Sequence, residues 1–187
     1  MKRQASWVLL AVAVAAATGG CVSTAIKEGS GVVLGAKGTF MPIQPLATDK
    51  DAKPLGVYRR FELGQLTDEI GGKVPANLLG YLPAALQEQL RKAHLPDEPD
   101  GKTMLIRGRI IHYESAGTVG FALGPLEEVV VLTEFVDKDS GTVLGRANCI
   151  GRTTARVNAG VKKKAEGLAK AFVRWIEARF PKDQKVK

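Results

Sequence analysis

Cysteine and histidine are nearly missing from this chain, with two of each in 187 residues. A zinc or redox centre needs several such ligands close together, and His94, His112 and Cys149 lie far apart in the sequence. No metal and no cofactor is therefore expected. Catalytic motifs are scarce as well. There is no Gly-x-Ser-x-Gly elbow and no serine in a recognisable nucleophile setting. The glycine-rich run 117–125, GTVGFALGP, lacks the lysine of a phosphate-binding loop and leads into a strand-like segment rather than a helix. DKDSG, Asp137 to Gly141, has too few oxygen ligands for a calcium loop and no closing glutamate; a tight turn with Gly141 at positive φ accounts for it. Aromatic-basic motifs, zinc spacings and basic helix repeats are also missing, which excludes nucleic acid as a partner. Finally, no apolar run is long enough to span a bilayer. The run Trp7–Ala17 falls well short of the roughly 20 residues that a spanning helix needs.

What that run does resemble is the core of a secretory signal. Lys2 and Arg3 precede it and small residues follow it, the three parts of a bacterial signal peptide, here residues 1–20. Two cleavages compete. Ala15-x-Ala17 or Ala17-x-Gly19 suits an ordinary signal peptidase. Thr18 to Cys21, TGGC, resembles the bacterial lipobox, in which the cysteine becomes residue one and is acylated; Thr18 departs from the usual larger aliphatic. The lipoprotein reading explains a cysteine that nothing else explains, because stray thiols are penalised in an oxidising compartment. Two or more acyl chains anchor a protein stably, at roughly 0.8 kcal/mol per buried methylene, so Cys21 would hold the chain on a membrane without a spanning helix. Val22 is not the aspartate that retains enterobacterial lipoproteins in the inner membrane. The expected address is the outer membrane, facing the periplasm, with a soluble secreted or periplasmic protein as the alternative. The net charge of +8 favours contact with anionic surfaces such as lipid headgroups or wall polymer.

Residues 21–53 are rich in glycine, proline and small polar residues and keep no period of 2 or 3.6. They read as lipid anchor and flexible tether. A single domain follows over 54–181, with a basic tail at 182–187. LGVYRRFELGQL, from Leu55, alternates Val57, Arg59, Phe61 and Leu63 against Tyr58, Arg60 and Glu62, as a strand does. Leu78, Leu82, Leu86 and Leu90, with Ala85 and Ala93, form a helical stripe. Pro75 fits its first turn, and Pro83 would kink it or begin a second helix. Then come TMLIRGRIIHY, the glycine loop, the β-branched LEEVVVLTEFVD and the returning TVLGRANCIGRTT, the last two as a hairpin. The closing helix puts Val161, Ala165, Leu168, Phe172, Trp175 or Ile176, and Phe180 on one side, with Lys162, Lys163, Glu166, Lys170, Arg174 and Glu177 facing away. The order β-α-β-β-β-α predicts an α+β fold: a single sheet of about four mostly antiparallel strands with two amphipathic helices on one face.

YRRFEL, LPAALQEQL, LIRGRIIHYESAG with its glycine loop, the D..SG.VLG hairpin and a closing helix occur in the order seen in the bacterial domain-of-unknown-function family 4410, which this chain resembles over roughly residues 55–180. That family occurs largely in envelope lipoproteins. The pattern is also similar to the synthase-activating lipoproteins of the cell wall and to the amino-terminal domain of the Tol system's propeller protein. These are binding modules, so the resemblance implies a binding or assembly role and no enzyme.

Among individual residues, His94 ends a helix, where a cation complements the dipole. His112 alternates with Ile110 and reads as packed or hydrogen-bonded. Cys149, flanked by Ala147 and Gly151 on its face, reads as a small core residue. The carboxylate pairs Asp68–Glu69 and Glu127–Glu128 stand at element ends, where solvation is the default. Arg107, Arg109, Arg146 and Arg152 fall on strand positions pointing away from the helices, and Arg60 joins them. Arginine suits bidentate contact with phosphate or carboxylate, which makes this group the candidate contact for an anionic partner, an envelope polymer or periplasmic protein. The plain alternative is a charged sheet face that keeps the protein soluble. An exported enzyme with an unrecognised site is the alternative function, and a deep pocket holding His112 with a carboxylate would favour it.

Overall fold

The computed structural model describes residues 36–44, 53–114, 127–153 and 160–186. They form a five-stranded mixed sheet with two helices packed against one face. Strands β1 (Ala36–Gln44), β2 (Arg60–Asp68), β3 (Thr103–Tyr113), β4 (Glu127–Asp137) and β5 (Val143–Thr153) stand in the order β1-β5-β4-β3-β2. Helix α1 (Ala76–Lys92) joins β2 to β3, which are parallel neighbours, and α2 (Gly160–Glu177) follows β5. The other three pairings are antiparallel. A parallel pair of adjacent strands needs a crossover, and α1 supplies it. The α+β architecture is as expected, with one strand more than anticipated.

That additional strand is β1. The segment 21–53 is expected to be an aperiodic tether, yet residues 36–44 pair with β5 from Ala36↔Thr153 to Gln44↔Arg146. The inward phase of β1 is Ala36, Gly38 and Phe40, so it carries little apolar signal. Gly38 is required because α2 crosses β1 in backbone contact: a Cβ there would lie 2.1 Å from the Gly167 carbonyl oxygen and 2.6 Å from the Ala171 nitrogen. Gly167 answers from the helix side, where a Cβ would lie 2.5 Å from the Lys37 carbonyl oxygen. Pro42 is tolerated because β1 is an edge strand. The signal peptide, Cys21, the rest of the tether and the glycine loop 115–126 fall outside the described residues.

Strand β2 begins later than its alternation suggests. Pro54 opens a 3-10 turn over Pro54–Val57, which reverses the phase: Val57 is exposed and Tyr58 is buried. Helix α1 runs unbroken through Pro83. That proline lies on the solvent side, where the carbonyl it leaves unbonded is open to water. Leu78, Leu82, Leu86 and Leu90 are buried as the stripe requires. The helix ends in a left-handed cap, with His94 at φ 55 and the Leu95 amide donating to the Leu90 carbonyl at 3.1 Å.

The central strands sort cleanly by phase. Met104, Ile106 and Ile110 of β3, Val129, Val131 and Phe135 of β4, and Ala147 and Cys149 of β5 face the helices and are buried. Phe135 stacks on Trp175 of α2, and Phe61 meets Phe180 edge to face. Helix α2 is buried over far more of its circumference than a one-sided stripe, because β1 covers one flank and α1 another. Lys170 and Arg174, expected to face away, lie half-buried and exposed respectively, and they donate to the carbonyl oxygens of Ala36 and Gly38 on β1.

Candidate functional site

The sheet face opposite the helices is where the sequence places its arginine group, and the structure brings that group together. Arg107 and Arg109 project from β3, Arg146 and Arg152 from β5. Each meets a carboxylate. Glu134 of β4 is shared: its Oε2 accepts from Arg107 Nε at 3.0 Å and its Oε1 from Arg146 Nε at 2.8 Å. These two arginines draw the Glu134 carboxyl below its ordinary value, the bond from Arg146 contributing most. Arg109 pairs with Glu69 at 2.9 Å, and Arg152 bonds Glu128. Glu62 accepts from Arg60 at 2.9 Å and from Lys138 at 2.8 Å. The face is thus a ladder of ion pairs in which Glu134 and Glu62 each serve two cations, leaving an excess of positive charge. Val130, Leu132 and Ile150 share the strand phase of these pairs, and none of them is widely exposed.

Several residues expected to be solvated or packed are placed otherwise. Glu127 is buried. Its Oε2 lies 3.0 Å from Lys164 Nζ, and the Lys164 side chain is wholly inaccessible. The ammonium also donates to the Glu114 carbonyl at 2.7 Å and sits 3.9 Å from the centre of the Tyr113 ring. The same carboxylate stands where a Cβ on Gly160 would be, 2.3 Å from Oε2, so it also meets the positive end of α2. Helical spacing does mark Lys164, which lies three residues after Val161 and four before Leu168 on the apolar stripe, whereas Lys162 and Lys163 lie off it. His112 is exposed rather than packed, because β3 slips register between Ile110 and His112. The Glu114 carboxylate is 4.0 Å away and also exposed.

Asp137, expected only to begin a turn, is a buried junction. Its Oδ1 accepts the amides of Asp139 and Ser140, and its Oδ2 accepts the Tyr58 hydroxyl at 2.7 Å and Lys102 Nζ at 2.8 Å. The bond from Lys102, then those from Ser140 and Tyr58, hold the carboxyl far below its ordinary range. Burial first, and the Asp137 bond second, push the Tyr58 phenol well above its own. Gly141 closes the turn at φ 70. Asp68 caps the β2–α1 turn, accepting the amides of Ile70, Gly72 and Val74. Cys149 is a buried free thiol, pushed up to about 12 by burial. A shallow groove between β2 and α1 is lined by Arg60, Glu62, Leu63, Pro83 and Leu86. Among the described residues no cluster of three metal-binding side chains occurs, and no helix is long and apolar enough to cross a membrane.

No family model matches the chain, and no curated protein does. The likeness to family 4410 therefore rests on the residue pattern alone. Among solved structures, a PelC dodecamer from Paraburkholderia phytofirmans is similar at a TM-score of 0.48 and 15% identity, over 77% of this chain and 99% of that one. A minor lipoprotein from Acinetobacter baumannii gives 0.41 and 18%, over 65% of this chain and 94% of its own. Likenesses this distant carry no argument about activity.

Proposed function

We propose that this chain is an exported lipoprotein of the cell envelope, held by an acylated Cys21 in the outer membrane and facing the periplasm. Its domain acts as a binding or assembly module and not as an enzyme. The observation that carries the reading is the spacing of the leader: Lys2 and Arg3, the apolar run Trp7–Ala17, then Thr18 to Cys21 as TGGC. Diacylation or triacylation supplies membrane attachment without a spanning segment.

The binding surface in this reading is the open sheet face. The helices cover the other face, and Arg107, Arg109, Arg146 and Arg152 stand here in a row with more cations than carboxylates. An anionic envelope polymer or an acidic periplasmic protein suits such a face.

Metabolic labelling with an alkyne fatty acid, followed by membrane fractionation, tests the anchor. The wild-type chain takes up label and sediments with the outer membrane; Cys21→Ser loses both. A freely soluble wild-type protein with unmodified Cys21 would end the lipoprotein reading.

A further inference from the structure

We propose that the outer edge of β2 and the groove beside α1 form a strand-acceptor site, which takes an extended segment of a partner protein with alternating apolar and acidic side chains. The surface is distinct from the arginine row of β3 and β5, and it does not depend on acylation of Cys21. The two edges of the sheet are built differently. On β1, Pro42 has no amide hydrogen, the register slips between Pro42 and Gln44, and Lys170 and Arg174 occupy the carbonyls of Ala36 and Gly38. Such devices blunt an edge against further pairing. Strand β2 has no proline. Among the described residues, no strand lies beyond it and no side chain bonds the main chain of Phe61 or Leu63. The Arg60 amide donates toward β3, to the Lys102 carbonyl at 3.3 Å. Successive residues of a strand turn their main-chain groups to opposite sides, so the amides and carbonyls of Phe61 and Leu63 point out of the sheet.

Beside this stretch α1 leaves the strand partly uncovered. Phe61 is sealed, whereas Leu63 and Leu66, which also face the helices, are only half-buried. The gap is a groove of about 380 Å³ with Leu63, Pro83, Ala84 and Leu86 as its apolar lining and Arg60 and Glu62 as its charged lining. Val74 to Gln87 carries no charge, so α1 meets the groove with uncharged side chains alone. Pro83 weakens its own helix, and it is exposed, so the packing of the domain does not call for it. A sixth strand at ~4.8 Å beyond β2 would pair with the outward groups of Phe61 and Leu63. Its side chains opposite those two residues enter the groove, and the one opposite Glu62 emerges on the open face. There Glu62 is shared by Arg60 Nε at 2.9 Å and Lys138 Nζ at 2.8 Å. One carboxylate between two cations leaves a positive charge, which an acidic residue of the incoming segment neutralises. Main-chain bonds supply the affinity in this mode, and the groove and the charge select the sequence.

The probe is a blocked seven-residue peptide of alternating valine and glutamate, titrated to millimolar concentration against the full chain purified in detergent. Fluorescence anisotropy should show saturable binding, and hydrogen exchange should show new protection at the Phe61 and Leu63 amides. No saturable binding, or protection that falls elsewhere on the chain, would overturn the proposal. The same peptide N-methylated throughout has no amide hydrogens to donate and should not bind; equal binding by it counts against a strand. Lysine in place of glutamate should weaken binding by about tenfold or more, and Lys138→Glu should reverse that preference. A preference that stays the same in Lys138→Glu would remove the charge argument and the acidic partner with it. Ala84→Arg places a long charged side chain at an exposed position of the groove. It should abolish peptide binding while the urea midpoint stays near that of wild type, and undiminished binding would sink the site. Protection of the Phe61 and Leu63 amides that grows with protein concentration, without peptide, would make a second copy the occupant and would also overturn the proposal.

Discussion

Glu127 and Glu134 lie on one strand, β4, with opposite phase, and so emerge on opposite faces of the sheet. Each has cations for partners, yet their surroundings differ sharply. Glu134 lies between Arg107 and Arg146 under partial exposure, with 47% and 42% of the arginine side chains open to water. Glu127 and Lys164 are sealed between β3, β4 and the first turns of α2. Water already solvates the first group, so its pairs add little. In the second, each charge depends on the other, because neither has water to fall back on. Identical chemistry is thus a surface finish on one face and a joint on the other.

The largest effect should come from breaking the joint. Lys164→Met leaves the Glu127 carboxylate buried without its counter-ion, and removal of one partner of a buried pair costs about 3–5 kcal/mol. Adding Glu127→Gln removes the stranded charge and should recover a substantial part of that loss. Urea unfolding of the two single variants and the double variant reads both. A cost for Lys164→Met no greater than that of a surface pair would erase the contrast between the two faces.

The open face was legible in the sequence and the joint was not, for reasons of range and period. Met104, Ile106 and Ile110 against Arg107 and Arg109 is a period of two, and burying the arginines would cost too much for the register to slip. The Leu78-to-Leu90 stripe is equally local. Lys164 falls on the apolar phase of α2, between Val161 and Leu168, so its inward position was there to read; its partner, Glu127, is distant in sequence, and only the packing of α2 on β4 brings them together. Strand β1 escaped notice for a different reason: at Gly38 its inward position is filled by the backbone of α2, so the residue that marks the contact is a glycine, which in sequence reads as a loop. The phase error at Val57 and Tyr58 is local but hidden, since the 3-10 turn after Pro54 shifts the count by one. The parallel pairing of β2 with β3 followed from α1 as a crossover and could have been drawn.

A second, intermediate effect separates the buried junction at Asp137 from the exposed pairs. Its folded carboxyl titrates below the ordinary 3.8, so the unfolded chain binds more protons in acid and stability rises with pH there. The contribution is complete above 3.8 and is lost as pH falls through the folded value. Tyr58 has the opposite sign: its phenol is raised above 10.0, so that contribution is complete below 10.0 and is lost as pH climbs toward the folded value. Urea midpoints measured across the pH range should show both limbs. Asp137→Asn should flatten the acid limb and Tyr58→Phe the alkaline one, and limbs that persist unchanged in these variants would place the titration elsewhere.

The smallest effect belongs to the open face. Arg107→Ala removes one partner of an exposed carboxylate that retains Arg146, and exposed pairs contribute about 0–1 kcal/mol. The urea midpoint should barely move. A loss well beyond that would mean Arg107 acts through its buried stem, against Leu132 and its neighbours, rather than through its charge. Arg107→Glu with Arg109→Glu goes further by reversing the sign of the row. Folding should survive, because both side chains point into water, while binding to vesicles rich in phosphatidylglycerol should fall well below wild type. Salt should weaken the wild-type binding too, since exposed charges are screened over about 10 Å at 0.1 M. Binding indifferent to both the charge reversal and the salt would leave the ion-pair ladder as a solubilising face and move the search for a partner to the groove between β2 and α1.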